Sequence, residues 1–200
     1  AEVAKTFEAG FKSTLFDNRM VLNGNVFTTK SENSYFFVFL AANSTQNLGN
    51  VPEGRLTGFE LDGTVRPLPG LDLNFGFGYT DSEIKDFLDP SLEGNKLPQV
   101  SEYTLNLGVQ YTADLTDEAR LITRVDYQRI GKTWWDLENS TVRDPVDLVD
   151  ARMGVEFGDW TITAWAKNLF NKEYNAEFSP GGFVFKAKPR RYGIDLTKRF

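Results

Sequence analysis

Between Val149 and Phe157 every second residue is apolar: Val149, Ala151, Met153, Val155 and Phe157, with Asp150, Arg152, Gly154 and Glu156 between them. Gly158-Asp159 then supplies a two-residue hairpin turn, and Trp160, Ile162, Ala164 and Ala166 resume the apolar set. A turn of that length fixes register, so Phe157 is expected opposite Trp160, Val155 opposite Ile162, and Met153 opposite Ala164. On the other face the register sets Asp150 against Lys167, an opposite-charge pair, and Arg152 against Trp165, a cation–π pair. The last stretch repeats the pattern, with Tyr192, Ile194, Leu196 and Phe200 alternating with Arg191, Gly193, Asp195, Thr197 and Arg199. One face is wholly apolar and the other carries whole charges. A packed interior rejects such charges, whereas a water-filled lumen accepts them.

The same alternation runs through the rest of the chain. It covers residues 7–15 and 20–28, separated by Asp17-Asn18, then 58–65, 71–80 and 103–111. Residues 117–130 also fit a two-residue period better than a helical one. About nine antiparallel strands of roughly 10–13 residues result, longer than the usual globular strand and near the length that crosses a bilayer when tilted. Short turns fall at one end. At the other lie the polar, turn-rich segments 31–54, 81–98, 131–145 and 170–188, the first interrupted by the six apolar residues 35–40, read as part of an elongated hairpin above the membrane. Aromatics gather near strand ends: Phe16, Phe157, Trp160 and Phe200 at the short-turn end, Tyr79, Tyr127 and Tyr192 at the other, as interfacial girdles require. A soluble β-sandwich explains the alternation but neither the strand length nor the one-sided loops. The expected fold is an all-β, antiparallel transmembrane barrel.

Composition narrows the function. The net charge of −6 among 200 residues argues against nucleic acid, which selects a basic face. There is no Cys and no His, which removes disulfides, thiolate chemistry, Ser-His-Asp triads and His-ligated zinc. An enzyme is therefore not expected, nor a cofactor or resident metal. Mean hydropathy is −0.37, and no run approaches the length of a transmembrane helix. Ala1-Glu2-Val3 has no charged-then-apolar leader, so the expectation is a removed signal peptide or a chain that begins partway through a longer protein.

The residues also resemble the C-terminal part of the barrel of TonB-dependent outer-membrane receptors. The matching pieces are TFEAGFK at 6–12, LNGNVF at 22–27, GFEL at 58–61, RPLPGL at 66–71, YTD at 79–81, KNLFNKEY at 167–174, PRR at 189–191 and the terminal Phe200. Each is weak alone; the set, in this order and spacing, is specific. The resemblance implies a 22-stranded barrel around an N-terminal plug. Residues 1–200 would supply roughly the last nine strands, with the plug and the N-terminal strands outside this chain. It implies TonB-dependent active uptake of a scarce extracellular ligand, most often a ferric siderophore. The implied partners are outer-membrane lipid and lipopolysaccharide, the TonB complex through the plug, and the barrel-assembly machinery. Tyr192, Ile194, Leu196 and Phe200 match the terminal signal read by that machinery, while Lys198 departs from the aromatic or apolar choice usual there. The alternatives are a self-contained small outer-membrane barrel with a structural or adhesive role, and a barrel hydrolase, which the missing histidine disfavours.

Trp134-Trp135, expected to be exposed in a long loop, and Arg143 are the candidate ligand contacts, with a loop-packing role as the competing reading. Arg190 and Arg191 are further cations able to meet an anionic ligand, or to pair with lumenal acids or headgroups. Asp81, Glu83, Asp86 and Asp89 lack any metal-loop spacing and read as a solvated loop.

Overall fold

The computed structural model describes residues 1–40, 45–178 and 183–200, with side chains described throughout these except at 36–40 and 45–47. Nine strands form one antiparallel sheet in chain order: β1 (Val3–Leu15), β2 (Met20–Leu40), β3 (Thr45–Leu68), β4 (Leu71–Asp86), β5 (Tyr103–Asp114), β6 (Ala119–Ile130), β9 (Val146–Phe157), β10 (Trp160–Lys167) and β13 (Arg191–Lys198). Two small ribbons sit in the long connections, β7 (Thr133–Trp134) with β8 (Val142–Arg143), and β11 (Asn175–Phe178) with β12 (Val184–Lys186). Among the described residues nothing large enough to face the nine-stranded sheet packs against it. A sandwich needs two such layers, so that reading falls.

Register carries the sequence alternation across strands. One face reads Ala9–Val26–Phe59–Tyr79–Tyr103 along one row and Leu121–Val155–Ile162–Leu196 along another. These side chains are exposed, Phe7 by 74%, Met153 by 57% and Ile194 by 75%, and such residues recur on every strand of the sheet; charges join this face towards the long-loop end, where Leu105 is followed by Arg129 and Asp147. An apolar surface of that extent in water would be an aggregation template; against hydrocarbon it is the stable arrangement. The opposite face reads Gln110–Arg124–Arg152–Trp165–Gly193 and is knit by polar contacts. Asn23 donates to Asp62 at 3.0 Å, Gln128 to Asn106 at 3.1 Å, and Arg120 Nε to Glu156 at 3.0 Å. Charged residues thus lie where a wet lumen would be, and apolar ones where lipid would be.

The strand lengths differ from the expected 10–13 residues in both directions. β2 has 21 residues, β3 24 and β4 16, while β10 and β13 have 8 each. At about 3.3 Å per residue and a 45° tilt, twelve residues already cross the hydrocarbon, so β2 and β3 stand well clear of it. Segment 31–54, read as loop, is thus largely β2–β3 ladder, and the first part of 81–98 belongs to β4. Polar turn-formers such as Asn33, at φ 57°, mimicked a loop while the ladder continued past them. The side chains of the 35–40 run beyond Tyr35 lie outside the described residues.

The buried apolar side chains, Val51, Ile84, Trp135, Leu137 and Val146, all sit at the long-loop end. The spanning part of the sheet has no side-chain core among the described residues. That is expected of a single layer wetted on one side and lipidated on the other.

Candidate ligand-binding site

At the long-loop end two connections fold into one unit. Val51, Ile84 and Leu137 form a small core, with Phe87, Leu92 and Leu97 packed against it. Polar bonds then zip connection 87–102 to connection 131–145. Asn139 Oδ1 accepts the Lys96 N–H at 2.7 Å and its Nδ2 donates to the Lys96 carbonyl at 3.0 Å. Asn95 Nδ2 donates to the Leu137 carbonyl at 2.8 Å, and Gln99 N–H donates to the Trp134 carbonyl at 2.7 Å. Buried Asp136 closes the second connection by accepting from Ser140 N–H (2.7 Å), Ser140 Oγ (3.0 Å) and Thr141 N–H (2.8 Å), so its charge is met by three donors. The acids read as solvated do not converge: Asp81 pairs with Lys96, Glu83 with Lys85 at 2.6 Å, and Asp89 caps a 3-10 turn through Ser91 N–H at 3.0 Å. Asp81 raises the Lys96 ammonium above the usual lysine value, and the Ser91 donors lower the Asp89 carboxyl.

The candidate ligand residues sit in this unit. Trp135 is buried, with 7% exposure, and Trp134 is half-buried in β7. The exposed Trp pair expected from the loop-like sequence is thereby corrected for Trp135, because Asn139 and Asp136 fold the connection over it. Arg143, on β8, lies with its guanidinium 5.6 Å from the Trp135 ring centroid. Its Nη2 donates to Thr133 Oγ1 at 2.8 Å, and that hydroxyl is shared with Ser101 Oγ at 2.8 Å. Burial pushes the guanidinium below its ordinary value, with the Tyr174 phenol as the acidic group acting against it. Arg190 is used locally, its backbone N–H donating to Asn171 Oδ1 at 2.9 Å and its Nη1 to the Leu169 carbonyl at 3.4 Å, and Arg191 stands opposite Lys167 in the ladder.

Two recesses mark the polar face. One, of about 430 Å³, is lined by Asn74, Gly76, Asn106, Arg124, Asp126 and Asp150 among others. Gly108 makes it: a Cβ there would come within 2.8 Å of Arg124 Nη2, where the guanidinium lies flat against Asp126. The other holds Glu8, Asn25 and Glu60. Asn25 Nδ2 donates to Glu8 Oε1 at 3.1 Å and Glu60 Oε2 at 3.2 Å, while its buried Oδ1 meets no donor. Sequence reasoning missed this trio, because the β1–β2 and β2–β3 registers that join it are invisible before the fold.

A family model described as TonB dependent receptor-like, beta-barrel matches residues 1–169. This chain belongs to the TonB-dependent receptor β-barrel family. The family is one of outer-membrane proteins of Gram-negative bacteria. Among solved structures the ferric yersiniabactin uptake receptor FyuA from Yersinia pestis is similar over 100% of this chain and 30% of its own, with TM-score 0.84 and 21% identity. BauA, the ferric preacinetobactin receptor from Acinetobacter baumannii, covers 96% and 29% at TM-score 0.75 and 21% identity. The ferric-catecholate import receptor Fiu from E. coli K12 covers 100% and 28% at TM-score 0.73 and 23% identity. The chain therefore spans less than a third of the length of these receptors.

Two of the receptor-like motifs have local physical causes. In KNLFNKEY, Asn168 and Asn171 occupy left-handed backbone (φ 52° and 53°), which Asn tolerates better than other side chains. Asn168 is buried and fully used. Its Nδ2 donates to the Lys172 and Lys188 carbonyls at 2.9 and 3.2 Å, and its Oδ1 accepts the Lys172 N–H at 2.7 Å. The expected Asp150–Lys167 ion pair is replaced by part of this turn. The β9–β10 ladder ends at Ala151–Ala166, and Asp150 Oδ1 accepts the Asn168 N–H at 2.9 Å; a backbone donor leaving a ladder must be satisfied, and a carboxylate already adjacent does so. Arg152 does stand opposite Trp165, but the indole covers Gly193, whose Cβ would lie 2.7 Å from Trp165 Cζ2, rather than receiving a cation. At the terminus, Tyr192, Ile194 and Leu196 lie on the apolar face of β13. Lys198, the departure from the family pattern, holds its ammonium 5.2 Å from both the Trp160 and Phe200 ring centroids. Its aliphatic stem can cover apolar surface at the interface while the charge reaches polar surroundings.

Proposed function

We propose that residues 1–200 form the C-terminal part of the barrel of an outer-membrane receptor that takes up a scarce ligand, a ferric siderophore, by TonB-dependent active transport. The plug and the N-terminal strands belong to the rest of the protein. The observation that carries this reading is the single-layer sheet with one face predominantly apolar across its strands, a charged opposite face and every long connection at one end. That similar structures are receptors for ferric yersiniabactin, ferric preacinetobactin and ferric catecholates supports a ferric cargo. Trp134, Trp135 and Arg143 contribute to the ligand site, and Tyr192, Ile194, Leu196 and Phe200 form the signal for barrel assembly. The Glu8–Asn25–Glu60 recess fits a multidonor cation such as an arginine of the plug, since two carboxylates and an unmet carbonyl converge there. A self-contained small barrel fits less well, because β1 and β13 each have one neighbour and hydrocarbon does not tolerate open edges.

The test is uptake of ⁵⁵Fe by cells whose only outer-membrane ferric receptor is the full-length protein. Uptake from at least one siderophore that disappears when TonB is deleted is the expected result. Uptake that is unaffected by TonB, or absent with every siderophore offered, overturns the reading.

A further inference from the structure

Arg143 combines features that rarely coexist without a ligand. It is a guanidinium partly removed from water in a chain of 28 carboxylates and 22 basic side chains, yet no carboxylate lies within ion-pair distance of it among the described residues. The neighbouring groups are an indole face, a threonine hydroxyl and, further off, the Tyr174 phenol. Of the nearby cations, Lys96 has Asp81 and Lys85 has Glu83, while Lys132 is exposed to solvent. Desolvating a cation without a counter-charge costs stability, so the chain keeps Arg143 at an expense.

The surroundings also fix its direction. Trp135 is buried, so the ring under the guanidinium cannot swing away. Thr133 Oγ1, itself 3% exposed as part of its residue and shared with Ser101, holds Nη2. Nη2 is thus held, while among the described residues Nη1 has no protein acceptor and the buried Nε has none either. A pre-oriented fork loses little entropy when it meets a planar pair of anionic oxygens. Iron(III) is a hard ion held by anionic oxygen donors, so its chelates present such oxygens.

Resting on the uptake reading above, we propose that Arg143, laid on Trp135 and tethered to Thr133, is the charge-reading residue of the ligand site, and that the cargo is a ferric chelate of net negative charge. The role is one of affinity and selectivity at the extracellular end, not of the transport step.

The experiment measures ⁵⁵Fe uptake by the full-length receptor with three probes: a trianionic ferric tris-catecholate, anionic ferric citrate, and a cationic ferric tris-hydroxamate bearing an ammonium group. Wild type is expected to take up an anionic chelate and not the cationic one. In Arg143→Gln the half-saturating concentration rises at least tenfold while the maximal rate stays within twofold. Arg143→Lys recovers part of the affinity, since it keeps the charge without the fork. Surface display and heat-modifiability of each variant confirm that the barrel is intact, and a misfolded Arg143→Gln leaves Arg143→Lys to decide by the same affinity criterion. Unchanged half-saturation in the folded variants, or preference for the cationic chelate in wild type, overturns the Arg143 assignment while leaving ferric uptake standing. A wild-type receptor that moves none of the three ends the uptake reading and this one with it.

Discussion

At the residue scale, single side chains in this chain serve as joints. Asn168 alone supplies three hydrogen bonds and a left-handed backbone turn from an 8% exposed position. Asn168→Ala is expected to destabilise the full-length receptor by about 2–4 kcal/mol, the sum of unmet polar groups and left-handed strain. Asn168→Gly loses the same bonds but not the backbone freedom, and should be milder by about 1 kcal/mol. Urea unfolding of both variants in lipid vesicles separates the two contributions; equal losses would show that φ contributes nothing. The importance of Asn168 was legible as part of KNLFNKEY, but its partners were not, because Lys188 lies twenty residues away. Trp135 illustrates the opposite failure. An aromatic pair in a polar segment reads as exposed, and only the Asn139 and Asp136 contacts, which no periodicity announces, bury it.

At the element scale, alternation located all nine strands of the sheet, and the Gly158-Asp159 turn set the β9–β10 register as written from sequence. The ends of β2, β3 and β4 were not legible, since a ladder outside the membrane is freed from the alternation that lipid imposes and admits polar residues on both faces. The interlocked connections were illegible for a related reason: each is irregular alone and gains order from the other. Asn139→Ala should therefore loosen both together. Hydrogen exchange at the Lys96 amide is expected to speed up at least tenfold, with residues around Leu137 following, while β5 and β6 are unchanged; an effect confined to 131–145 would refute the coupling. The Asp81–Lys96 pair sets the pH range of this unit. Because the Lys96 pKa is raised on folding, its contribution is fully present below the ordinary lysine value of about 10.5 and fades only as pH climbs through the higher folded value. Exchange protection, corrected for intrinsic rates, should be flat from pH 6 to 9 and fall above about pH 10.5, and Asp81→Asn should remove that alkaline step.

At the scale of the whole molecule, the two faces of one sheet meet different solvents, and substitutions should separate them. Val125 lies mid-strand on the apolar face and is 48% exposed, while Asn106 lies on the polar face opposite Gln128. Val125→Arg places a charge near the bilayer midplane and is expected to cost about 2–4 kcal/mol. Asn106→Lys enters a wet lumen and should cost less than about 1 kcal/mol. Both are read by unfolding the full-length receptor from vesicles, and equal costs would mean that the faces are not solvated differently. The same solvent logic governs closure. β1 and β13 each present an unpaired edge along Val3–Leu15 and Arg191–Lys198, on the order of twenty backbone polar groups in all, since alternate residues point both N–H and C=O outward from an edge. At several kcal/mol per unsatisfied group in hydrocarbon, those edges outweigh the few kcal/mol that a domain keeps as net stability. The 200-residue chain on its own should therefore fail to refold in detergent to a heat-modifiable monomer, whereas the full-length receptor should refold. A compact, heat-modifiable monomer from the short chain would require β1 and β13 to pair with each other, and the 22-stranded reading would give way to a nine-stranded barrel.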